Sequence, residues 1–326
     1  MLKKSFLITL LGFLLIHSST LTGKCANVIV EANKQSYNGT TNLSTFEGNV
    51  KVSYGDITVK SPKAFLKTGA DGKPEFAKFV NKATAIKENS TQKTQINADN
   101  INYSMTENNI KALGTVSSQF WENKQPVATI KADTQELDLT TNVITASGKV
   151  SILYKGYSAN AANGRMTVDA SGKPSEVILT GGARISQDNT TVSGAKLIFK
   201  PASNELLASG SVSSSTILED ATKVTIKSDT QQFDKASNTL IASGGVLIHY
   251  KDYTASGPKA VFLPDEKTGK PNKIIFVGRG KITEGARQVV ADKIEITLNP
   301  KNFSAEGNVR SQFTQIQNPT TTNKKK

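Results

Sequence analysis

The side chains able to do covalent or acid–base chemistry are few in this 326-residue chain. Its two histidines are His17 and His249, and its single cysteine is Cys25. His17 lies inside an apolar leader and His249 sits alone in the segment Val246 to Tyr250, so the sequence holds neither the paired imidazoles of a metal centre nor a usual nucleophile–base–acid triad. Acidic residues are abundant, yet Asp133, Asp229 and Asp292 recur in matching contexts, and repetition assigns them a structural role. No P-loop, dinucleotide fingerprint or zinc spacing occurs, so no catalytic residue, metal or cofactor is expected. The remaining chemistry is recognition. Lys63 and Lys259 follow a repeated proline in Pro62-Lys63-Ala64 and Pro258-Lys259-Ala260, and lysines so placed are able to meet phosphates as point charges.

The elements that must position these residues begin after a leader. Lys3 and Lys4 precede the apolar run Ser5 to Ile16, which is too short for a bilayer span and reads as a secretory signal cut near Ala26. Loss of Lys3, Lys4 and Lys24 with residues 1–25 leaves +10 of the formal +13, and leaves no cysteine for a disulfide. A basic exported chain favours anionic partners, and export makes a phosphorylated lipid a better candidate than nucleic acid. The last residues, Gln317 to Lys326, are polar, end in three lysines and read as a disordered basic tail.

Between these ends runs an internal repeat. Gly-x-Val recurs at Gly48, Gly114, Gly148, Gly210, Gly244 and Gly307, with spacings that alternate between roughly 65 and 34 residues. The stretches Asp71-Gly72-Lys73-Pro74, Ser171-Gly172-Lys173-Pro174 and Thr268-Gly269-Lys270-Pro271 keep the same register of nearly a hundred residues. Ala132-Asp133-Thr134-Gln135-Glu136-Leu137-Asp138 likewise matches Ser228-Asp229-Thr230-Gln231-Gln232-Phe233-Asp234. This predicts three units, about 32–127, 128–224 and 225–316.

Each Gly-x-Val opens a segment with alternate apolar residues, the pattern of a half-buried strand of about five to eight residues. The predicted dry face carries Val50 and Tyr54, Val116 and Phe120, Val150, Ile152 and Tyr154, Val246, Ile248 and Tyr250, and Val309 and Phe313. Polar pairs such as Asn108-Asn109, Thr141-Asn142, Ser203-Asn204 and Ser237-Asn238 separate the segments as hairpin turns. Periodicity by itself leaves open whether another sheet or a ligand covers the dry face. It therefore leaves two functions standing, a lipid carrier and a solid structural or adhesive β-repeat protein of the cell envelope.

The signal, an Ala-Asp near the start of a strand, a polar turn and a closing Ala-x-Gly-x-Val together resemble the OstA-like (LptA-type) family of periplasmic lipopolysaccharide-transport proteins. The matching stretches run from Ala98-Asp99 to Val116, Ala132-Asp133 to Val150 and Ala291-Asp292 to Val309, and Thr45-Phe46-Glu47-Gly48-Asn49-Val50 matches the closing element. The resemblance implies an all-β fold, an elongated antiparallel β-jellyroll open at its ends, whose groove holds acyl chains. It further implies lipopolysaccharide or a similar anionic lipid as cargo, other OstA-like components at the inner and outer membranes as partners, and end-to-end self-association. The dry-face residues would line the groove, with Lys63 and Lys259 near head-group phosphates. The chain is longer than a compact family member, with three units in place of a short single one.

Overall fold

The structure is a computed structural model and describes residues 28–314, apart from 55–56, 89, 155, 169–173, 201–202, 204, 218–220, 235, 266–270 and 299–300. The leader with His17 and Cys25, the basic tail and Asn204 lie outside the described residues. So do Ser171-Gly172-Lys173 and Thr268-Gly269-Lys270.

The chain divides into two units, Met1–Leu206 and Leu207–Lys326. The first holds β1 (Ile29–Glu31), β2 (Lys34–Asn38), β3 (Leu43–Tyr54), β4 (Ile57–Thr68), β5 (Pro74–Glu88), β6 (Gln92–Ser104), β7 (Asn109–Glu122), β8 (Gln125–Asp138), β9 (Val143–Tyr154), β10 (Tyr157–Val168), β11 (Pro174–Gln187) and β12 (Thr190–Lys200). The second holds nearly all of β13 (Glu205–Ile217), then β14 (Lys223–Asp234), β15 (Thr239–Tyr250), β16 (Tyr253–Pro264), β17 (Pro271–Glu284), β18 (Arg287–Thr297), β19 (Asn302–Glu306) and β20 (Arg310–Phe313). No helix occurs among the described residues.

Within the first unit each strand from β3 to β12 pairs antiparallel with the next, and both β1 and β2 lie on β3. Within the second, β14 to β18 form the same meander, and β18 carries both β19 and β20. The fold is an all-β antiparallel jellyroll.

From β3 to β18 the strands run from 11 to 15 residues, about twice the expected length. Gly-x-Val does not open a strand. In five of its six copies it sits in the middle of one, and at Gly307 between β19 and β20, as a two-residue bulge in the left-handed region: Gly48 and Asn49 have φ of 78° and 52°, Gly148 and Lys149 of 76° and 52°. The register breaks there and resumes on the far side, as between Glu47 and Val50 of β3, so the strand bends without ending.

The same bulge occurs where no Gly-x-Val exists, at Asn81-Lys82, Gly181-Gly182 and Gly278. These fill the long gaps of the sequence pattern. Bulges then follow every 29–34 residues, one per pair of strands, and the hundred-residue register contains three of them. Asn tolerates positive φ better than most side chains, which hid the copy at Asn81 from a search for glycine.

The bulge explains how one sheet makes a core. In β7 the inward residues are Ala112, then Val116, Ser118 and Phe120, and in β15 they are Ala242, then Val246 and Ile248. Two residues spent in the bulge return the same face to the inside. The intervening strands achieve this with one extra residue: β8 buries Ala128, Ile130 and Ala132, then Gln135 and Leu137. Each strand therefore has two legs with a shared inner side, and we term leg A the one in which β3, β5, β7 and the other bulge-bearing strands begin, and leg B the other.

Leg A ends in turns with a repeated cap. Asp138 Oδ1 accepts from the Thr140 and Thr141 amides at 2.8 and 2.9 Å, Asn38 Oδ1 accepts from those of Thr40 and Thr41, and Asn142 and Asn42 close the turns at φ of 54° and 50°. These amides hold the Asp138 carboxyl below the usual carboxylate range, with Thr141 contributing most. Ser237 and the Ala236 amide do the same for Asp234. The repeated Pro74, Pro174 and Pro271 each occupy the first residue of a strand, where no ladder donor is needed.

Candidate functional site

The recurrent aspartates face the bulges rather than any reacting group. Asp99, Asp133, Asp229 and Asp292, with Asn33 in the first copy, each lie fifteen residues before a bulge glycine and pack against it. A Cβ on Gly114, Gly148 or Gly244 would come within 2.2 Å of the aspartate Oδ2. The Asp292 amide donates to the Gly307 carbonyl at 2.9 Å, as Asn33 does to Gly48. Glycine is thus required twice, by its φ and by the side chain lying on it. At the bulges of Asn81, Gly181 and Gly278, Pro62, Ala162 and Pro258 take the aspartate's place on the facing strand. Lys63 and Lys259 immediately follow those prolines.

Gln135 and Gln231, aligned in the sequence repeat, are two of the polar members of the inner face. Each reaches back across its own bulge, donating from Nε2 to the carbonyl of Ile130 at 3.3 Å and of Ile226 at 3.2 Å. Ser118 Oγ, fully buried, donates to Gln135 Oε1 at 2.6 Å. Sequence reasoning noted the alignment of these glutamines and assigned them no role. Their signal was a polar residue at an inward position of a seven-residue match.

Of the predicted dry-face residues, Val50, Val116, Phe120, Val150, Tyr154, Val246 and Ile248 are buried on leg B, and Ile152 and Tyr250 are half-buried. Tyr54 ends β3, and its side chain lies outside the described residues. Val309 and Phe313 differ from these: they stand 51% and 68% exposed. Among the described residues β20 pairs with β18 alone, and the Arg287 guanidinium stands 5.7 Å from the Phe313 ring centroid.

The leg A half of the inner face escaped the sequence reading. Phe46, Phe79, Leu179 and Phe276 are buried two residues before their bulges, as are Ala112, Ala208 and Ala242. The signal was present as the apolar residue two positions before each Gly, but it reads as part of the same face only once the bulge is known.

Lys63 and Lys259 both lie on the outer side of leg A, away from the dry face. Lys63 is tied to Glu47 at 2.6 Å and stands 5.1 Å from the Phe65 ring centroid, whereas Lys259 is exposed between Ser243 and Val277. Lys63, in turn, holds the Glu47 carboxyl below its ordinary range. His249 is exposed, with Nδ1 3.3 Å from the Thr254 hydroxyl.

The interior is well filled in both units. In the second unit Phe276, Ile294, Ala242, Ala260 and Ala291 are fully buried in one continuous cluster. A shallow, partly open depression in the second unit is lined by Tyr253, Ile282, Glu284, Arg287, Val289 and Phe303. The arrangement presents a dry inner track closed by side chains, a bend line of glycine and aspartate, and polar outer faces.

An antiparallel jellyroll of bulged hairpins is the class these features define. Residues 29–127 match the family described as LptA/(LptD N-terminal domain) LPS transport protein. The resemblance to the OstA-like family thus holds, and the matched segment carries the first three bulges. No curated protein matches the chain. Among solved structures, LptH from Pseudomonas aeruginosa, the LptA homologous periplasmic component of the conserved lipopolysaccharide transport device, is similar at 14% identity and a TM-score of 0.34, over 40% of this chain and 96% of that one.

Proposed function

We propose that this chain is a periplasmic lipid-binding and transfer protein of the lipopolysaccharide pathway, which shields acyl chains along its inner face and helps bridge the inner and outer membranes. The carrying observation is that the family match ends at residue 127 while the bulge that the matched segment carries does not: the same bulge, with an apolar residue two positions before it, recurs to Gly307. A lipid crossing water needs its methylenes covered, at about 0.8 kcal/mol for each one buried. A continuous apolar track meets that need if its two legs part to admit the chains. Other OstA-like components and a second copy of this chain are the partners such a bridge would use, and Lys63 and Lys259, on the outer side of leg A, would meet head-group phosphates as point charges.

One observation favours a second reading. The filled interior suits a structural β-repeat of the envelope that carries no cargo. To separate them, a photo-crosslinking amino acid is placed at Ile248 or Phe120 on the inner face and at Thr145 on the outer side of leg A, in the full chain, in cells containing lipopolysaccharide. Lipid adducts from the inner positions alone support transport. A folded protein without adducts at either inner position supports the solid repeat.

A further inference from the structure

The two outer faces of the first unit differ in charge. On leg A acids and bases alternate and pair, as in Lys111–Glu136 at 3.1 Å and Lys63–Glu47. On leg B the outward row beside the bend passes laterally from Lys51 to Lys60, Thr84, Asn97, Ser117 and Lys131 and continues through Ser151 and Asn160 to Arg184. The next outward row, two residues further along each strand, contains Gln95, Gln119 and Thr129. From β3 to β12 neither row contains an aspartate or a glutamate, and Ile86 and Leu153 are their only apolar members.

Lys51 is met by Glu31 at 3.0 Å, whereas Lys60, Lys131 and Arg184 are exposed and take part in no ion pair among the described residues. Lys60 and Arg184 stand four and three strands on either side of Lys131, about 19 Å and about 14 Å away at the usual strand spacing. The bend line alongside carries Lys82 and Lys149 against Asp99 and Asp133 and adds no net charge.

We infer that this outer face of leg B in the first unit is a docking surface for an acidic polysaccharide. Flat rows of Ser, Thr, Asn and Gln offer both donors and acceptors at the density that the hydroxyls of a sugar chain require. Spaced cations without competing carboxylates complement carboxylate or phosphate groups recurring along a polymer. A protein partner is disfavoured because these rows carry no aromatic side chain, and their two large apolar members, Ile86 and the exposed Leu153, stand four strands apart and form no clustered anchor of the kind that dominates protein interfaces. Single-stranded nucleic acid would require stacking platforms, which are likewise missing from the rows. The surface is separate from the inner face, so the inference stands whether or not lipid is carried.

The test measures binding of the full chain to polygalacturonate, with dextran as the uncharged comparison and phosphatidylglycerol vesicles as a membrane comparison, at roughly 150 mM salt. Folding of each variant is checked by its β-sheet circular dichroism. Binding to polygalacturonate but not dextran is expected, with a tenfold or greater loss in K60Q/K131Q/R184Q and little change in K78Q/K111Q/R165Q, which removes equal charge from leg A. N97A/Q119A, with every charge intact, is expected to weaken binding three- to tenfold. Equal losses in the two triple variants would show attraction to net charge alone and overturn the inference. It is also overturned by unchanged binding in N97A/Q119A, by no binding to polygalacturonate, or by vesicle binding that alone depends on Lys60, Lys131 and Arg184.

Discussion

The interiors of the two units are built from the same hairpins and yet differ in continuity. In the second unit a single cluster runs from Ile226 to Ile294. In the first, one cluster ends at Val116 and another begins at Phe120, and between them stands Ser118 with its hydrogen bond to Gln135. The residue four positions beyond the bulge glycine makes the difference: Ser118 after Gly114, but Ile248 after Gly244. The bend is a property of the backbone, whereas the continuity of the apolar track depends on single side chains hung from it. The second unit has its own polar member in Ser214, four positions after Gly210, but the buried Ser214 Oγ has no hydrogen-bond partner among the described residues. Among the described residues Gln231 bonds only back to Ile226.

The largest effect is expected at the centre of the continuous cluster. Phe276→Ala should cost about 3–5 kcal/mol in denaturant unfolding. Phe120→Ala, at the margin of the smaller cluster, should fall at or below the low end of that range. If Phe120→Ala proves the more damaging, the polar break does not weaken the first unit's core.

The bends should not distinguish the units. Gly148→Ala and Gly244→Ala place a Cβ at positive φ against an aspartate, in matching geometry. Each should lose about 2 kcal/mol or more, since the left-handed conformation alone costs roughly 1–2. Unfolding midpoints of the two variants should shift alike, and Asp133→Ala should restore part of the loss in Gly148→Ala.

The polar break itself is tested by Ser118→Val, which strands the Gln135 acceptor and should cost about 1–2 kcal/mol. Ser118→Val with Gln135→Leu removes both partners and joins the two clusters, so most of the loss should be recovered. Ser214→Ala is expected to be neutral or to stabilise by up to about 1 kcal/mol, because it deletes an unpartnered buried hydroxyl. A clear loss there would mean that the hydroxyl is satisfied.

The smallest effect concerns the leg A turns. The Asp138 and Asp234 carboxyls are lowered by hydrogen bonds that favour their charged forms. Stability from them is therefore present above the unfolded carboxylate pKa and is lost as pH falls through the lower folded value. Asp138→Asn and Asp234→Asn should each flatten the acid limb of a stability-versus-pH curve slightly and to a similar extent, with the small loss falling near neutrality and little change at low pH, where the carboxyl is already protonated.

The class of fold, the turns and the leg B half of the inner face were legible because they depend on local rules. Alternation at Val116 and Phe120 or at Val246 and Ile248 reports a strand face, and the aligned Asp138 and Asp234 report turns. Strand length was not legible. A glycine between apolar runs marks a turn as readily as a bulge, and only the resumed pairing of Val50 with Ser61 beyond Gly48 distinguishes them. The copies at Asn81 and Gly278 stayed hidden for the same reason: the requirement is on φ, and more than one residue type satisfies it.

What the sequence by itself determined is the inward identity of each residue, since the spacing across every bulge returns the same face to the core. Tertiary structure decided which of those faces are covered. Val309 and Phe313 carry the dry-face pattern as fully as Val246 and Tyr250 do, yet they are exposed, beside and on a four-residue strand that among the described residues pairs with β18 alone. Burial is a property of neighbours, and the periodicity of one strand contains no record of whether its neighbours exist.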